Sequence, residues 1–279
     1  MRGMKGGEAV IRSNLHTHTH FCDGKDSPAA MAEAAAALGF VSLGFSGHGV
    51  WPWFDEAMTA EAQDRYRQEV QALKAQYAGN MDILLGVEHD GGQVYDDLAW
   101  DFMIVSVHDL PFDGTFYSID WDPPHTDALI ADFCGGDAYR LAKLYFAFCA
   151  DCYNRSPAQI AGHVDLIAKF NEGGRLFDEI DPRYLGPAME ALDAAIDRGM
   201  VVEINTGAMA RGWRTTPYPG PALLQRLKER GAPIMVNSDC HDRNYLTHGF
   251  AQSIELLKAM GFDHTLILTA KGWQEVGLE

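Results

Sequence analysis

Three histidines fall within one short run, His16-Thr17-His18-Thr19-His20, soon after the apolar stretch Ala9-Val10-Ile11. Side chains alternate along an extended strand, so His16 and His18 point to one side and can grip one cation together. Further ligand-type residues stand after other apolar runs. His48 follows Val41-Ser42-Leu43-Gly44-Phe45, Glu88 follows Ile83-Leu84-Leu85-Gly86-Val87, and His108 follows Phe102-Met103-Ile104-Val105. His163 follows Ile160-Ala161-Gly162, while Asp239 and His241 follow Pro233-Ile234-Met235-Val236. Imidazole and carboxylate are the side chains that hold zinc, manganese or iron. A short apolar run ending in such a residue, repeated along the chain, predicts strands whose C-terminal ends converge on a multi-metal centre.

The elements that must position these residues alternate. Strands are predicted over 9–15, 41–45, 82–87, 102–105, 160–162, 201–204 and 233–236, with 265–268 as a possible final strand. Helices are predicted over 28–38, 59–77, 137–153, 187–198, 221–230 and 250–260. Ser27 before Pro28, and Thr59, are the expected helix caps. Alternation of this kind gives a parallel sheet with helices outside. In a barrel the site lies at the C-terminal strand ends, which is where the His, Glu and Asp residues fall. A doubly wound open sheet is the weaker alternative, because fewer strand ends meet at one point.

The chain has 279 residues, 47% of them hydrophobic, which suits one large α/β domain spanning 1–279. Its formal net charge is −17, with Lys and Arg scattered, so no basic footprint for nucleic acid or a membrane surface is visible. A small phosphate ester remains compatible, because bound divalent cations invert the local field. Five cysteines, an odd number, and an N-terminus without an apolar signal core lead to the expectation of a reducing, cytoplasmic setting. Cys149 and Cys152 lie within a helical pattern and read as two ordinary thiols.

The combined motifs resemble the PHP (polymerase and histidinol phosphatase) superfamily, in its histidinol-phosphatase branch. The carrying segments are Leu15-His16-Thr17-His18-Thr19-His20-Phe21-Cys22-Asp23-Gly24, Gly86-Val87-Glu88-His89-Asp90 and Ser106-Val107-His108. They continue with Gly162-His163-Val164-Asp165, Glu203-Ile204-Asn205-Thr206-Gly207 and Asn237-Ser238-Asp239-Cys240-His241. The resemblance implies a distorted (β/α)7 TIM-like barrel with up to three divalent metal ions, whether zinc, manganese or iron. It assigns His16, His18, Glu88 and Asp239 to the first metal and lets Glu88 bridge to a second held by His108 and His163. A third would take Asp23, His48 and His241. Two positions depart from the family pattern, Asn14 and Gly47, where acidic residues are common.

The implied activity is phosphomonoester hydrolysis by a metal-bound hydroxide, with L-histidinol phosphate the first substrate expected, in histidine biosynthesis. The alternatives are another small ester, such as a nucleotide or sugar phosphate, and a non-catalytic metal-binding partner module. Glu88 and Asp239 are the candidate catalytic carboxylates, with His248 or His20 as a candidate acid for the leaving alcohol. Lys169, Arg211 and Arg243 are candidate phosphate contacts or solvated charges, and Asn205 either touches substrate or ends a strand. Trp51, Trp53, Phe54, Tyr117 and Trp121 could wall a pocket. Asp113, Asp120 and Asp122 could meet a substrate ammonium.

Overall fold

The computed structural model describes residues 11–93 and 98–278. The chain runs β1 (Ser13–Asn14), α1 (Pro28–Ala37), β2 (Ser42–Phe45), α2 (Ala60–Gln76), β3 (Asp82–Asp90) and β4 (Phe102–Ser106). A hairpin follows, β5 (Asp109–Phe112) and β6 (Thr115–Ser118), then α3 (Pro123–Cys134), α4 (Ala138–Arg155) and β7 (Ile160–Ala161). The remainder is α5 (Pro182–Asp197), β8 (Val201–Asn205), α6 (Gly207–Ala210), α7 (Pro221–Arg230), β9 (Ile234–Asn237), α8 (Phe250–Ala259), β10 (His264–Thr269) and β11 (Gly272–Gly277). Ala9 and Val10 of the first predicted strand lie outside the described residues.

Seven strands form one sheet in the order β1-β2-β3-β4-β7-β8-β9, every adjacent pair parallel. The two edges meet through a parallel bridge between Thr17 and Cys240. There the His18 N–H donates to the Cys240 carbonyl (3.0 Å), and the Cys240 N–H donates to the His16 carbonyl (3.3 Å). The result is a nearly closed (β/α)7 barrel. Asn14 reinforces this seam. Its amide donates to Ser238 Oγ (2.6 Å) and the Leu246 carbonyl (3.0 Å), and its Oδ1 accepts the His16 N–H (3.1 Å). An aspartate here could not donate those two bonds.

The barrel interior is packed by Leu15, Leu84, Phe102, Ile104, Ile160, Val201 and Met235, joined by Leu268 from β10. The Phe102 ring fills the space beside Gly44 and Gly86, where an added Cβ would come within 2.7 and 2.3 Å of it. A larger cluster packs α4, α5, α7 and α8 against the sheet, and a smaller one packs α1 and α2. Local chemistry sets the helix starts. Ser27 Oγ accepts the Ala30 N–H (3.2 Å) ahead of Pro28, and Thr59 Oγ1 accepts the Ala62 N–H (3.1 Å). Tyr66, Val70 and Leu73 face inward from α2 at helical spacing. Cys149 and Cys152 are buried on α4.

Two expectations are corrected. The strand at 265–268 does not enter the barrel, because β10 pairs antiparallel with β11 in a separate hairpin. The helix expected from 187 begins at Pro182, capped by Asp181, and carries Pro187 in its interior. The hairpin β5–β6 and helix α3 have no counterpart in the sequence reading.

Candidate metal centre

The C-terminal ends of the barrel strands bring the expected ligands together. Glu88, on β3 and 1% exposed, lies at the middle. Its Oε2 stands 3.1 Å from His16 Nε2, 3.4 Å from His18 Nε2 and 3.2 Å from His48 Nδ1. Its Oε1 stands 3.2 Å from His163 Nε2 and 3.7 Å from His108 Nε2. One carboxylate therefore faces five imidazoles. Asp239 Oδ1 lies 3.3 Å from His18 Nε2 and 3.6 Å from His16 Nε2. Asp23, in the turn after His18, meets His241 Nε2 at 2.7 Å and His18 Nδ1 at 3.3 Å.

These donors form four overlapping groups: His18-Asp23-His48-His241, His16-His18-Asp239, His16-Glu88-His163 and His48-Glu88-His108. All nine metal-type residues expected from the sequence are present. The groups overlap more than the expected partition, since His18 also stands with Asp23 and His48 with Glu88 and His108, while His108 and His163 share Glu88 Oε1 as expected. The fit to cations rests on unsatisfied atoms. His16 Nε2, His18 Nε2, Asp23 Oδ1 and Glu88 Oε2 are buried at the cluster without a hydrogen bond. Most buried polar atoms in proteins are paired, so four unsatisfied ones facing one point mark a place for cations. Ligands about 2.1 Å from a shared cation stand roughly 3.0–3.4 Å apart, the spacing several of these atoms show. The donor set of imidazoles and carboxylates fits several divalent cations.

A supporting layer fixes the ligand rings, and Glu203 is its main member. It sits within the apolar strand Val201–Asn205 and is wholly buried. Its Oε1 accepts from His16 Nδ1 (2.7 Å) and Asn237 Nδ2 (2.9 Å). Its Oε2 accepts from the His163 N–H (2.9 Å) and Asn205 Nδ2 (2.9 Å). Burial opposes its charge, but the His16 ring and these donors outweigh it and hold Glu203 below the usual carboxylate range. With Nδ1–H committed to Glu203, His16 presents Nε2 to the metal side. Asp90 serves His108 in the same way, accepting its N–H (2.8 Å) and standing 3.2 Å from its Nδ1. Sequence reading assigned neither carboxylate, although a lone Glu inside Val201-Val202-Glu203-Ile204 signals a buried charge that needs partners. Glu203→Gln is expected to weaken metal affinity by roughly 10–100-fold while the fold survives. Metal content after dialysis against a graded chelator series, beside a circular dichroism melt, checks this.

Asp239 takes a left-handed backbone conformation (φ 48°), rare for a residue with a side chain. Its Oδ2 pairs with Arg211 Nη2 at 3.0 Å, and a Cβ at Gly207 would fall 2.6 Å from that oxygen. At Gly47 an added Cβ would lie 3.2 Å from Cys22 Sγ and 3.4 Å from Met58 Cε, so any side chain there would have to displace its neighbours slightly.

Above the cluster opens a cavity of about 520 Å³, with Lys169 and Arg211 on its wall. Lys169 is held by Asp120, whose carbonyl and Oδ2 accept its ammonium at 2.7 and 2.8 Å. Phe54 and Trp121 also line the cavity. Four candidates are placed elsewhere. His248 is exposed, with its ring against Tyr245 (5.5 Å) and its carbonyl taken by Thr206 Oγ1 (2.6 Å). Arg243 turns out of the cavity on the short helical turn after His241, toward Asp26 (3.6 Å). Asn205 is fully buried, donating to Glu203 and accepting the Gly207 N–H (2.8 Å), so it stands behind the ligands. His20 is exposed beside Phe21. Trp51 and Trp53 pack on Phe116, and Tyr117 on Phe133.

Comparison with known proteins gives a consistent result. Residues 14–207 match the family model described as the PHP domain. The protein named "Probable histidinol-phosphatase" of Deinococcus radiodurans is 30% identical over 88% of this chain and 92% of its own length. The histidinol-phosphatase of Bacillus subtilis is 26% identical over 86% of this chain and 97% of its own length. The crystal structure of histidinol phosphate phosphatase from Lactococcus lactis, complexed with zinc, L-histidinol and phosphate, superposes with a TM-score of 0.72 at 21% identity. That match covers 95% of this chain and 99% of the other.

Proposed function

Because this chain belongs to the PHP domain family, we propose that it is a metal-dependent phosphomonoesterase that hydrolyses L-histidinol phosphate to L-histidinol and phosphate. The observation that carries the reading is the placement of Glu88 among five imidazoles at the floor of a cavity that also holds Lys169 and Arg211. Relatives matched along most of their length, the Deinococcus and Bacillus proteins among them, carry histidinol-phosphatase names, which supports the substrate.

His16, His18, Asp23, His48, Glu88, His108, His163, Asp239 and His241 would hold divalent cations, which would supply Lewis acidity toward water and the phosphoryl oxygens. The chain itself does the positioning. Glu203 and Asp90 lock the His16 and His108 rings, so the ligands need little rearrangement when substrate enters. Lys169 and Arg211 add fixed positive charge beside the cluster for the phosphate oxygens. Asp120 and Asp239 hold those two cations in place. Phe54 and Trp121 wall the cavity around the organic part of the ester.

The reading treats the whole chain as one catalytic domain working in the cytoplasm, where its free cysteines stay reduced. No helix among the described residues is long and apolar enough to cross a membrane. A net charge of −17 favours a small ester over nucleic acid as the partner.

Phosphate release from L-histidinol phosphate, measured against a panel of nucleotide and sugar phosphates with a chelator control, tests the proposal. The expected kcat/KM for L-histidinol phosphate is about 10⁴ M⁻¹s⁻¹ or higher, lost on chelation. Preference for another ester would keep the metal chemistry and reject the substrate, and no turnover with metals bound would reject the enzyme.

A further inference from the structure

The carboxylates lining the cavity are matched one by one, with a single exception. Asp23 lies 2.7 Å from His241 Nε2, Asp120 accepts Lys169 Nζ at 2.8 Å, Asp239 accepts Arg211 Nη2 at 3.0 Å, and Asp242 accepts Lys25 Nζ at 3.4 Å. Glu56, on the loop after His48, lines the same cavity and makes no hydrogen bond or ion pair with a described residue. Partial burial, and then Asp23 and Asp120, push its carboxyl above the usual range, outweighing the opposing pull of Lys169, which is itself held by Asp120.

Glu56 also has aromatic company. Phe54, two residues earlier, lies edge-on to His48 (ring centroids 4.9 Å, 90°), and Trp121 lines the cavity with 58% of its surface exposed. The cavity therefore carries cations for an anionic group, Lys169 and Arg211, together with the Glu56 carboxylate and two aromatic rings on its wall. A ligand matching both has a phosphate at one end and an aromatic or aminated cation at the other. The acidic loop residues expected to meet an ammonium are otherwise engaged. Asp120 holds Lys169, Asp122 caps α3, and Asp113 sits in the β5–β6 turn (φ 50°) away from the cavity lining.

We propose that Glu56 is the specificity determinant that pairs with the cationic amine end of the substrate, an inference that rests on L-histidinol phosphate being that substrate. The ester carries an ammonium and an imidazole, and the carboxylate selects it over neutral or anionic esters of similar size.

The test uses the metal-loaded full chain and its Glu56→Gln variant. Turnover of L-histidinol phosphate and of p-nitrophenyl phosphate, which has no amine, is compared, and L-histidinol binding is titrated calorimetrically. For Glu56→Gln, the KM for L-histidinol phosphate is expected to rise roughly 10-fold, with p-nitrophenyl phosphate kinetics within about twofold of wild type. L-Histidinol affinity should fall by a similar factor, and Glu56→Asp should restore part of it. Equal losses on both esters, or unchanged L-histidinol affinity, would overturn the assignment of Glu56 alone. A wild-type protein that neither turns over L-histidinol phosphate nor binds L-histidinol would instead reject the substrate reading, and the amine contact with it.

Discussion

Glu88→Ala is expected to lower kcat/KM by at least about 10³-fold and to reduce the metal content of the purified protein. The magnitude follows from position. Both carboxylate oxygens are used, Oε1 toward His108 and His163 and Oε2 toward His16, His18 and His48. Burial opposes the charge on Glu88, yet the surrounding His16, His108 and His48 hold it well below the usual carboxylate range. Among the described residues it is the carboxylate shared by two of the donor groups, so it would be the ligand common to neighbouring cations. Its loss would leave a buried ring of imidazoles with nothing to hold neighbouring cations together against their mutual repulsion. Glu88→Gln separates charge from shape, since the amide fills the same volume but cannot bridge. Elemental analysis and phosphate release on both variants are the measurements, and a Glu88→Ala protein with wild-type turnover per bound metal would disprove the bridging role.

Stripping the metals is expected to lower Tm by an amount that grows from pH 6 to pH 9. In the chain alone, burial opposes a charged His108, but Glu88 and Asp90 prevail and push it up to about 10. His16 and His18 are raised in the same sense, burial again opposing, by Glu203 and Asp23 respectively. Imidazoles with raised pKa contribute stability that is complete below about pH 6.5 and is lost as pH climbs through the folded value. Glu88 and Asp239 are depressed, so their contribution is present above about pH 4.5 and fails only in acid. The metal-free protein is therefore strongest in mildly acidic solution and weakens toward pH 9. Metal binding runs the other way, because cations need neutral imidazoles and compete with protons for them. Burial and the neighbouring His18 already push His48 down to about 3, which leaves it ready for a cation. A site held at 1,000 times its Kd adds about 4 kcal/mol, on the order of 10 °C in Tm for a chain of this size. Thermal melts with and without chelator across pH 6–9 give the answer, and a gap that narrows with rising pH would contradict this account.

The barrel strands were legible because buried parallel strands read as short apolar runs, and their ends were marked by residues that no core tolerates unpaired. The same logic located the metal-type ligands. It failed where geometry depends on loops. Arg243 follows a strand end as Arg211 does, but the turn begun by Asp242 directs it to Asp26. His248 shares a residue type with the ligands and none of their burial. The β5–β6 hairpin escaped notice because its strands are short and its outer strand is only half-buried, leaving weak alternation to read. Glu203 and Asp90 act through a ligand rather than on the cavity, and a single sequence does not show which imidazole a carboxylate will meet.

The seam between β1 and β9 has a consequence for how competence is acquired during synthesis. His16 and His18 stand on one side of it, Asp239 and His241 on the other. A nascent chain that has emerged only through α5 still lacks one donor from each of the two groups built on His18. Only when the last strand docks against the first do these donors meet. Activity thus reports that the ring has been completed, and a protein halted short of His241 is inert toward phosphate esters rather than partly active. The cations then act as a clasp across residues at opposite ends of the chain. Because the site exists only in the folded chain, that clasp stabilises by binding the closed ring and is lost when the ring opens.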